Sequence, residues 1–474
     1  DRSPSRGLGD VYKRQYQLEG RIPLGQAILY GLQHVMAMFV GNLTPVLLIT
    51  GACALDGGLQ LQIIQNAMLM AGIITLLQIF TIGPVGAKLP IVMVTSSGFI
   101  GVCSGVASTM GQGIVTYGAI IFASFIGGLF ETVLGFFLKP LRRFFPSLVT
   151  GTVVMAIGLS LISVGINSFG GGNNNGDFGS LPNLFVGTVV LVTIILLKHF
   201  TKGVTSTASI LIGIVVGYIV CGIMGMILPT TYQYIDPNTQ ETVTKTCSWV
   251  LDFSKVSDAS WFAVPAFMPF GFSKDMIDLR AIIPIVIMFI VTAVETVGDT
   301  SAITEGGLGR EATDKELSGS VICDGLGSSI AAFFGVLPNT SFSQNVGLIA
   351  MTKIVNLFAI STGAIFLVLC GLFPKLAAII QMMPQSVLGG AAVMMFASIV
   401  VSGIQLVTKD GVSNRTVTIV SVALGLGYGL GANTEVLSNL PQFVELIFGG
   451  SGIVPAAIIA MILNIAIPKD KEAA

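Results

Sequence analysis

Long apolar stretches, each ended by a short polar or Gly/Pro-containing turn, recur from Gly25 almost to the end of this 474-residue chain. About 20 apolar residues are enough for a helix to cross the hydrocarbon core of a bilayer. The pattern predicts roughly fourteen such segments, which makes the chain an all-α polytopic membrane protein. In order, the predicted segments are 25–50, 61–82, 89–108, 114–137, 146–166, 183–200, 206–229, 281–303, 318–335, 339–354, 356–380, 385–405, 415–432 and 451–467.

A long polar stretch at 230–280 divides these segments into seven before it and seven after it. An odd number of crossings in each half places the halves in opposite orientations, and two inverted 7-segment repeats are a transporter architecture. A weak internal echo agrees with this. Segment 3 opens with Leu89-Pro90 and continues to Thr95-Ser96. Segment 10 opens with Leu337-Pro338 and continues to Thr340-Ser341.

Segments 3 and 10 are too short and too broken to be plain spanning helices. Interrupted segments at corresponding places in two halves indicate a binding site at the membrane midplane. The physical reason is that unwound backbone is tolerated inside a membrane only where it lines a cavity or is buried in protein.

Composition supports a membrane protein, since 53% of the residues are hydrophobic and only 10% are charged. A soluble domain typically carries about 25% charged residues, so an ordinary water-soluble protein is excluded. Glycine is abundant, with 58 residues, which is typical of helices that pack closely in lipid. The 6 cysteines form no CxxC pair and lie mostly in apolar runs, so we interpret them as packing residues and predict no disulfide or metal site.

Lys and Arg concentrate in the loops that face the cytoplasm if the N-terminus lies inside, as around Arg142 and Lys198. Short loops rich in these residues stay cytoplasmic, so we expect both termini inside a cell (inner or plasma) membrane. Residues 21–468 are predicted to form the transporter domain, between polar tails at 1–20 and 469–474. The first 15 residues are unlike the rest, and they are either part of such a tail or foreign to the native protein.

Ionisable residues inside apolar segments are costly, so each indicates a function until another role is found. Glu295 and Asp299 in segment 8 are four residues apart, which puts both carboxylates on one face of a helix. Segment 1 is the counterpart of segment 8 in the inverted scheme, so polar groups from both are expected to converge. The further candidates are Asp324 in segment 9, Gln344 and Asn345 in segment 10, and His34 in segment 1.

These groups suit a neutral heterocycle better than an anion. A carboxylate accepts N–H donors, and an amide offers a donor beside an acceptor, which matches the edge of an oxidised purine or a pyrimidine. No Arg or Lys lies among these groups to neutralise a carboxylate or phosphate substrate. A carboxylic acid inside a membrane can also hold a proton at neutral pH, so proton symport needs no cofactor.

The run QNVGLIAMTK at 344–353 resembles the signature of the nucleobase–cation symporter-2 (nucleobase–ascorbate transporter) family, and it matches at every fixed position. Gln33-His34 and the run ETVGD at 295–299 are also similar to the family's pattern. The resemblance implies fourteen segments, with short strands in segments 3 and 10. It further implies a core domain of segments 1–4 and 8–11, a gate domain of segments 5–7 and 12–14, an elevator-type motion and a homodimer.

Carried over position by position, the resemblance makes Glu295 the substrate-binding carboxylate and Gln344 the binding amide, supported by Asn345. Gln344 favours the xanthine and uric acid permease branch, because uracil-type members usually have Glu there. Many members of the family place an aromatic residue directly after the Ser pair of segment 3, where it stacks on the base. This chain departs from that pattern, because Gly98 separates Ser96-Ser97 from Phe99. Either Phe99 stacks on the base or nothing does. The resemblance also assigns positions associated with proton coupling or site organisation to Asp324, Asp299 and His34.

Structural roles compete with these assignments. Glu295 could brace two helices, Asp324 could cap local backbone, and His34 could be a packing residue that ties two helices together. Glu131 in segment 4 lies two turns before Lys139 and Arg142, so we interpret it as an ion-pairing or capping group at the inner end of its helix.

Other functions compete as well. A membrane enzyme is disfavoured because the chain has 2 His residues and neither an HExxH nor a GxSxG motif. A channel filter would use rings of repeated carbonyls or charges in place of this mixed set of groups. A uracil or other nucleobase permease, or an anion exchanger of similar fold, is the nearest alternative. The sequence thus predicts proton-coupled uptake of xanthine or a related oxidised purine such as urate.

Overall fold

A computed structural model describes residues 17–141, 146–172, 176–235, 242–409, 411–440, 448 and 452–468. The helices α1 to α14 follow the numbering of the segments. In the first half they are α1 Leu24–Ala52, α2 Gly57–Phe80, α3 Phe99–Met110, α4 Ile114–Phe136, α5 Ser147–Phe169, α6 Leu181–Phe200 and α7 Ser209–Ile227. In the second half they are α8 Leu279–Ile303, α9 Asp314–Phe333, α10 Ser343–Thr352, α11 in two parts at Leu357–Cys370 and Pro374–Gln381, α12 Gln385–Thr408, α13 Asn414–Ala432 and α14 Ile453–Ala466.

Four strands and several short turns complete the described chain. Strand β1 is Met93–Thr95, β2 is Thr231–Ile235, β3 is Thr242–Thr246 and β4 is Asn339–Ser341. The short helical turns are Leu138–Leu141, Val204–Thr207, Ser254–Asp258, Lys274–Met276, Thr304–Leu308 and Thr434–Leu437. Strands β1 and β4 confirm the predicted strands of segments 3 and 10. The β2–β3 hairpin lies in the polar stretch between the halves, where no strand was predicted.

Within the described ranges, 9 helices are long and apolar enough to cross a membrane, or 10 if the two parts of α11 form one span bent by 84°. The protein is therefore a multi-pass membrane protein. Helix α9 is long enough but not among them, because its run SGSVICDGLGSS is too polar for lipid. Most of that run is buried inside the protein, so its polar side chains meet other helices.

Helix packing repeats between the two halves. Helix α11 packs against α1 and α2, and in the same way α4 packs against α8 and α9. Helix α6 packs against α7, as α13 packs against α14, while α5 and α12 pack against each other. Each of these helix contacts has its counterpart when seven is added to, or subtracted from, the helix numbers. The fold is therefore two inverted 7-segment repeats, as predicted.

Candidate substrate-binding site

Two short strands meet in the interior of the bundle, one from each half. Strands β1 and β4 are antiparallel, with Met93 opposite Ser341, Val94 opposite Thr340 and Thr95 opposite Asn339. Further backbone hydrogen bonds at 2.8 and 2.9 Å extend the pair at both ends. All six strand residues are buried. Helices α3 and α10 begin just beyond the strands, so two helix N-termini point toward this region.

The outer edges of this strand pair bind side chains, because unsatisfied backbone groups are costly in a low-dielectric interior. The Oδ1 atom of Asn42 accepts a hydrogen bond from the Thr95 N–H at 2.8 Å. The Met93 N–H donates to Thr75 Oγ1 at 2.9 Å. The Asn339 N–H donates to Ser328 Oγ at 2.9 Å. Helices α1, α2 and α9 therefore hold the strands in place.

Glu295 and Asp299 project from α8 toward the start of α10. Ser343, the first residue of α10, donates to Asp299 Oδ2 at 3.0 Å and has its hydroxyl 3.2 Å from Glu295 Oε1. Ser341 donates to Asp299 Oδ2 at 2.7 Å. The second oxygen of Glu295, Oε2, is buried and has no hydrogen-bond partner among the described residues. The partial positive charge of a helix N-terminus favours carboxylates at this place.

Asp324 projects from α9 toward the hydroxyl layer, which comprises the hydroxyl groups of Thr296, Thr340, Ser341 and Ser343. Thr296 donates to its Oδ2 atom at 2.5 Å, and the Thr340 hydroxyl lies 3.4 Å from the same oxygen. The Ser341 hydroxyl is 3.4 Å from that of Thr296. Close contacts among hydroxyl and carboxyl oxygens thus run from Asp324 through Thr296, Ser341 and Asp299 to Ser343 and Glu295.

A small cavity of about 20 Å³ lies at Glu295. One wall carries Glu295, Ser97 and Ser343, and the opposite wall is apolar, with Ile157 of α5 and Met395 and Ile399 of α12. This volume is about what one water molecule needs. A heterocycle requires the two walls to separate further than they do here.

A larger cavity of about 620 Å³ lies between α1, α7, the second part of α11 and α12. Its walls are almost wholly apolar, with side chains such as Phe39, Leu43 and Ile214. None of its described lining residues has a carboxylate or amide side chain, whereas Glu295 lines the smaller cavity.

His34 and Asn345 lie together on another side of the strand pair. The His34 Nδ1 atom is hydrogen-bonded to Asn345 Oδ1, and Asn345 Nδ2 donates to the Pro90 carbonyl at 3.1 Å. Neither residue lines the cavity at Glu295. The side chain of Gln344 lies outside the described part of the structure, although its backbone belongs to the first turn of α10.

Phe99 is fully buried at the start of α3 and packs edge-on against Phe289, with ring centroids 4.9 Å apart. It does not line the cavity, which its neighbours Ser97 and Gly98 do line. In this conformation Phe99 belongs to the hydrophobic core. Its stacking on a base stays a prediction.

The prediction for Glu131 was wrong. Glu131 is fully buried between α4 and α8, where Thr292 donates to its Oε1 atom at 3.3 Å. Lys139 lies beyond the end of α4 and pairs with Asp314, at 3.8 Å, and Arg142 lies outside the described residues. The error arose because spacing along one helix cannot show which face a neighbouring helix covers.

Sequence reasoning also missed Asn42 and the hydroxyl groups of Thr296, Ser341 and Ser343. A signal was present for two of them, since Ser341 and Ser343 belong to the polar run NTSFSQN in an otherwise apolar segment. Asn42 and Thr296 carried a weaker signal, because single polar residues in long helices often bond only within their own helix. Among the described residues, no group of three or more His, Cys, Asp or Glu side chains could hold a metal ion.

The chain matches a known protein family over most of its length. A family model described as Permease family, Xan_ur_permease, matches residues 25–436. The chain belongs to the nucleobase–cation symporter-2 family. Relatives within it cover almost the whole chain. A Clostridium perfringens protein named as a purine permease is 37% identical over 95% of this chain and 92% of its own length.

Two further relatives carry more specific names. The xanthine permease XanP of Escherichia coli strain K12 is 33% identical, with 96% of this chain and 95% of XanP covered. The uric acid permease PucK of Bacillus subtilis strain 168 is 33% identical, with 93% of this chain and 95% of PucK covered.

Solved structures share the fold at low sequence identity. The transmembrane domain of a cyanobacterial bicarbonate transporter, BicA, has a TM-score of 0.55 at 16% identity, covering 90% of this chain and 99% of that domain. The overall structure of SLC26A9 has a TM-score of 0.59 at 12% identity, covering 98% of this chain and 69% of that protein. These likenesses concern the fold alone.

Proposed function

We propose that this member of the nucleobase–cation symporter-2 family takes up xanthine, or a related oxidised purine such as urate, together with protons. The observation that carries the proposal is the Glu295 carboxylate, which lines the interior cavity and has one oxygen without a hydrogen-bond partner. Such an oxygen can accept a hydrogen bond from an N–H group of a heterocycle. The names of the relatives supply the substrate class.

The walls of the cavity favour a neutral substrate. No Lys or Arg lines it among the described residues, and Ser341 and Ser343 already direct their hydroxyls to carboxylates. The acidic side chain of Glu295 in the cavity wall disfavours an anion exchanger, because an ionised carboxylate repels an anionic substrate. In this proposal, the Gln344 amide pairs with a carbonyl and a ring nitrogen of the base, Asn345 and His34 hold the start of α10, and Phe99 is the candidate stacking residue.

Transport requires the cavity walls to separate. The polar wall is built by α8, α10 and the strand pair, and the apolar wall by α5 and α12. This supports a division into a core of α1 to α4 and α8 to α11 and a gate of α5 to α7 and α12 to α14, moving as an elevator. A homodimer in the cell membrane, with both termini cytoplasmic, completes the proposal.

Protons supply enough energy for this task. A membrane potential of 100 mV adds about 2.3 kcal/mol per charge moved inward, which supports a roughly fiftyfold gradient of a neutral solute. We assign the proton to Asp324, because Glu295 is committed to the substrate and the hydroxyl layer joins the two acids. Asp299 organises that layer.

The test is uptake of radiolabelled xanthine in permease-deficient cells, with unlabelled urate, uracil, guanine and hypoxanthine as competitors. We expect saturable uptake, competition by urate more than by uracil, collapse with a protonophore and no loss when choline replaces sodium. Uptake that survives the protonophore but fails in choline contradicts proton coupling. Turnover of the base by purified protein would favour an enzyme.

Asp324→Asn tests the proton assignment. The amide keeps the shape and the contact with Thr296 but cannot release a proton, so accumulation driven by a pH gradient should be lost. Full concentrative uptake by this variant, measured in vesicles, places the proton elsewhere.

A further inference from the structure

Glu131 lies where three helices meet, away from the cavity at Glu295. The glycines that precede it allow the close approach of the neighbouring helices. A Cβ atom added at Gly127 would lie 2.1 Å from the Phe289 ring of α8, and one at Gly128 would lie 2.5 Å from the Gly325 carbonyl of α9. Glu131 follows one turn later on the same side of α4, and none of its side chain is exposed.

Glu131 and Asp324 have matching surroundings. Each accepts a hydrogen bond from a threonine of α8, and those two threonines, Thr292 and Thr296, are one helical turn apart. Each acid also has one buried oxygen, Oε2 of Glu131 and Oδ1 of Asp324, with no partner among the described residues. Gly128, one turn before Glu131, and Gly325, directly after Asp324, are in backbone contact, so the two acids stand on facing stretches of α4 and α9.

Among the described residues, no Lys, Arg or His side chain forms an ion pair with Glu131. On α8, Glu295 and Asp299 are buried, while Arg280 is exposed and paired with Asp278. On α9, Asp324 is buried and Lys315 is exposed, and α3 carries no charged residue. At one end of α4 the turn Leu138–Leu141 carries Lys139, which is 82% exposed and paired with Asp314. At the other end the turn Lys274–Met276 has its Lys and Asp side chains exposed. Two buried carboxylates without a cation repel each other, and a proton shared between them removes that repulsion.

We propose that Glu131 is a second proton-binding group of the transport cycle, which holds one proton jointly with Asp324 at the junction of α4, α8 and α9. This rests on the proposed proton-coupled function, which it deepens. Glu131 does not touch the substrate, since it does not line the cavity. It acts through α8, whose next turns carry Thr296, Asp299 and Glu295. Gain or loss of the proton therefore changes the surroundings of Glu295, where the base binds.

The first experiment needs no substrate. Purified protein is titrated with acid and base while infrared difference spectra record the band of protonated carboxyl groups. We expect the band at neutral pH to weaken in Glu131→Gln and in Asp324→Asn, and to persist in Glu311→Gln, an exposed control. A band and pH profile unchanged in Glu131→Gln overturn the proposal, whatever the substrate proves to be.

The second experiment measures transport in proteoliposomes. A gradient of about one pH unit should drive about tenfold accumulation of xanthine by the unaltered chain. Glu131→Gln should lose this accumulation, and the exchange of labelled for unlabelled xanthine should lose its pH dependence. Accumulation and a pH profile equal to those of the unaltered chain refute a role for Glu131. If the unaltered chain itself moves no xanthine, the proposed function fails and the infrared result still decides on Glu131.

A pair of Thr292 variants covers the case in which Glu131→Gln does not fold. Thr292→Ser keeps the hydroxyl donor and should retain the pH profile of exchange. Thr292→Val keeps the shape and removes the hydroxyl donor. Because that donor favours the ionised form of Glu131, its loss should move the pH profile toward alkaline pH. Identical profiles for the two variants contradict the proposal.

Discussion

At the scale of single residues, the acids of this site are held by hydroxyl groups and a helix N-terminus. The Ser343 hydroxyl lies within hydrogen-bond distance of both Glu295 and Asp299, and Thr296 donates a hydrogen bond to Asp324. No cation lies beside them among the described residues of the cavity walls. Hydroxyl groups rotate and can donate or accept, so this layer can adjust when a proton or an N–H group arrives.

Glu295→Gln should reduce the apparent affinity for xanthine roughly 2- to 30-fold while the protein still reaches the membrane. A hydrogen bond to a charged acceptor is worth about 1.5–3 kcal/mol, and a neutral one about 1 kcal/mol. Uptake kinetics, normalised to the amount of protein in the membrane, measure the change. Glu311→Gln is the matched control, and an affinity in Glu295→Gln equal to that of the control removes Glu295 from the site.

The membrane acids of segments 8 and 9 were predictable because a charged residue in an apolar run needs a reason to be there. Their partners were not, because serine and threonine are ordinary residues of membrane helices. The convergence of segment 1 on the site was predicted from the inverted scheme, and Asn42 at strand β1 shows how it is achieved. Glu131 was misassigned because its burial depends on Gly127 and Gly128, whose neighbours belong to distant parts of the chain.

At the scale of elements, the bounds of the long helices follow from apolar length. Segment 4 was predicted at 114–137 and α4 is Ile114–Phe136. The break within α11 and the β2–β3 hairpin were not predicted, because neither changes the apolar pattern enough to show. Close contacts between helices also depend on tertiary structure, and the contact of α4 with α9 is backbone against backbone at Gly128 and Gly325.

Gly325→Ala should destabilise the protein by about 1–3 kcal/mol, the usual cost of overpacking. The added Cβ would lie 2.5 Å from both the Gly128 carbonyl oxygen and the Thr132 nitrogen, and neither backbone can move aside easily. The measured quantity is the fraction of protein that stays monodisperse after heating in detergent. Gly225→Ala, whose Cβ would meet nothing within 4 Å, is the control and should be neutral or slightly stabilising. Equal heat resistance in the two variants shows that the α4–α9 contact is not tight.

At the scale of the whole molecule, polar contacts join the two proposed domains away from the cavity. Glu305, in the turn after α8, forms an ion pair with Lys409 at the end of α12. Gln33 of α1 donates to Thr207, in the turn before α7, at 2.9 Å. Both side chains of the ion pair are about one-third exposed, so the pair is a modest interaction, worth roughly 0–1 kcal/mol.

Glu305→Gln should loosen this connection without unfolding the protein. Hydrogen exchange of the last turn of α12 should become faster by up to about fivefold, as expected for a loss of about 1 kcal/mol. Glu311→Gln, which removes a nearby charge that forms no ion pair among the described residues, provides the comparison. Exchange rates that are the same in both variants show that the ion pair does not hold the two parts together.

The cavity at Glu295 has one polar wall and one hydrocarbon wall, and this asymmetry bears on the friction of transport. The hydroxyls and carboxylates of the polar wall bond to one another, so displacing that wall along Ile157, Met395 and Ile399 breaks none of those bonds. Only dispersion contacts are exchanged, and these are individually weak. The activation barrier for sliding is then governed by the bulk of three apolar side chains, and turnover should respond to their volume more than to the chemistry of the purine.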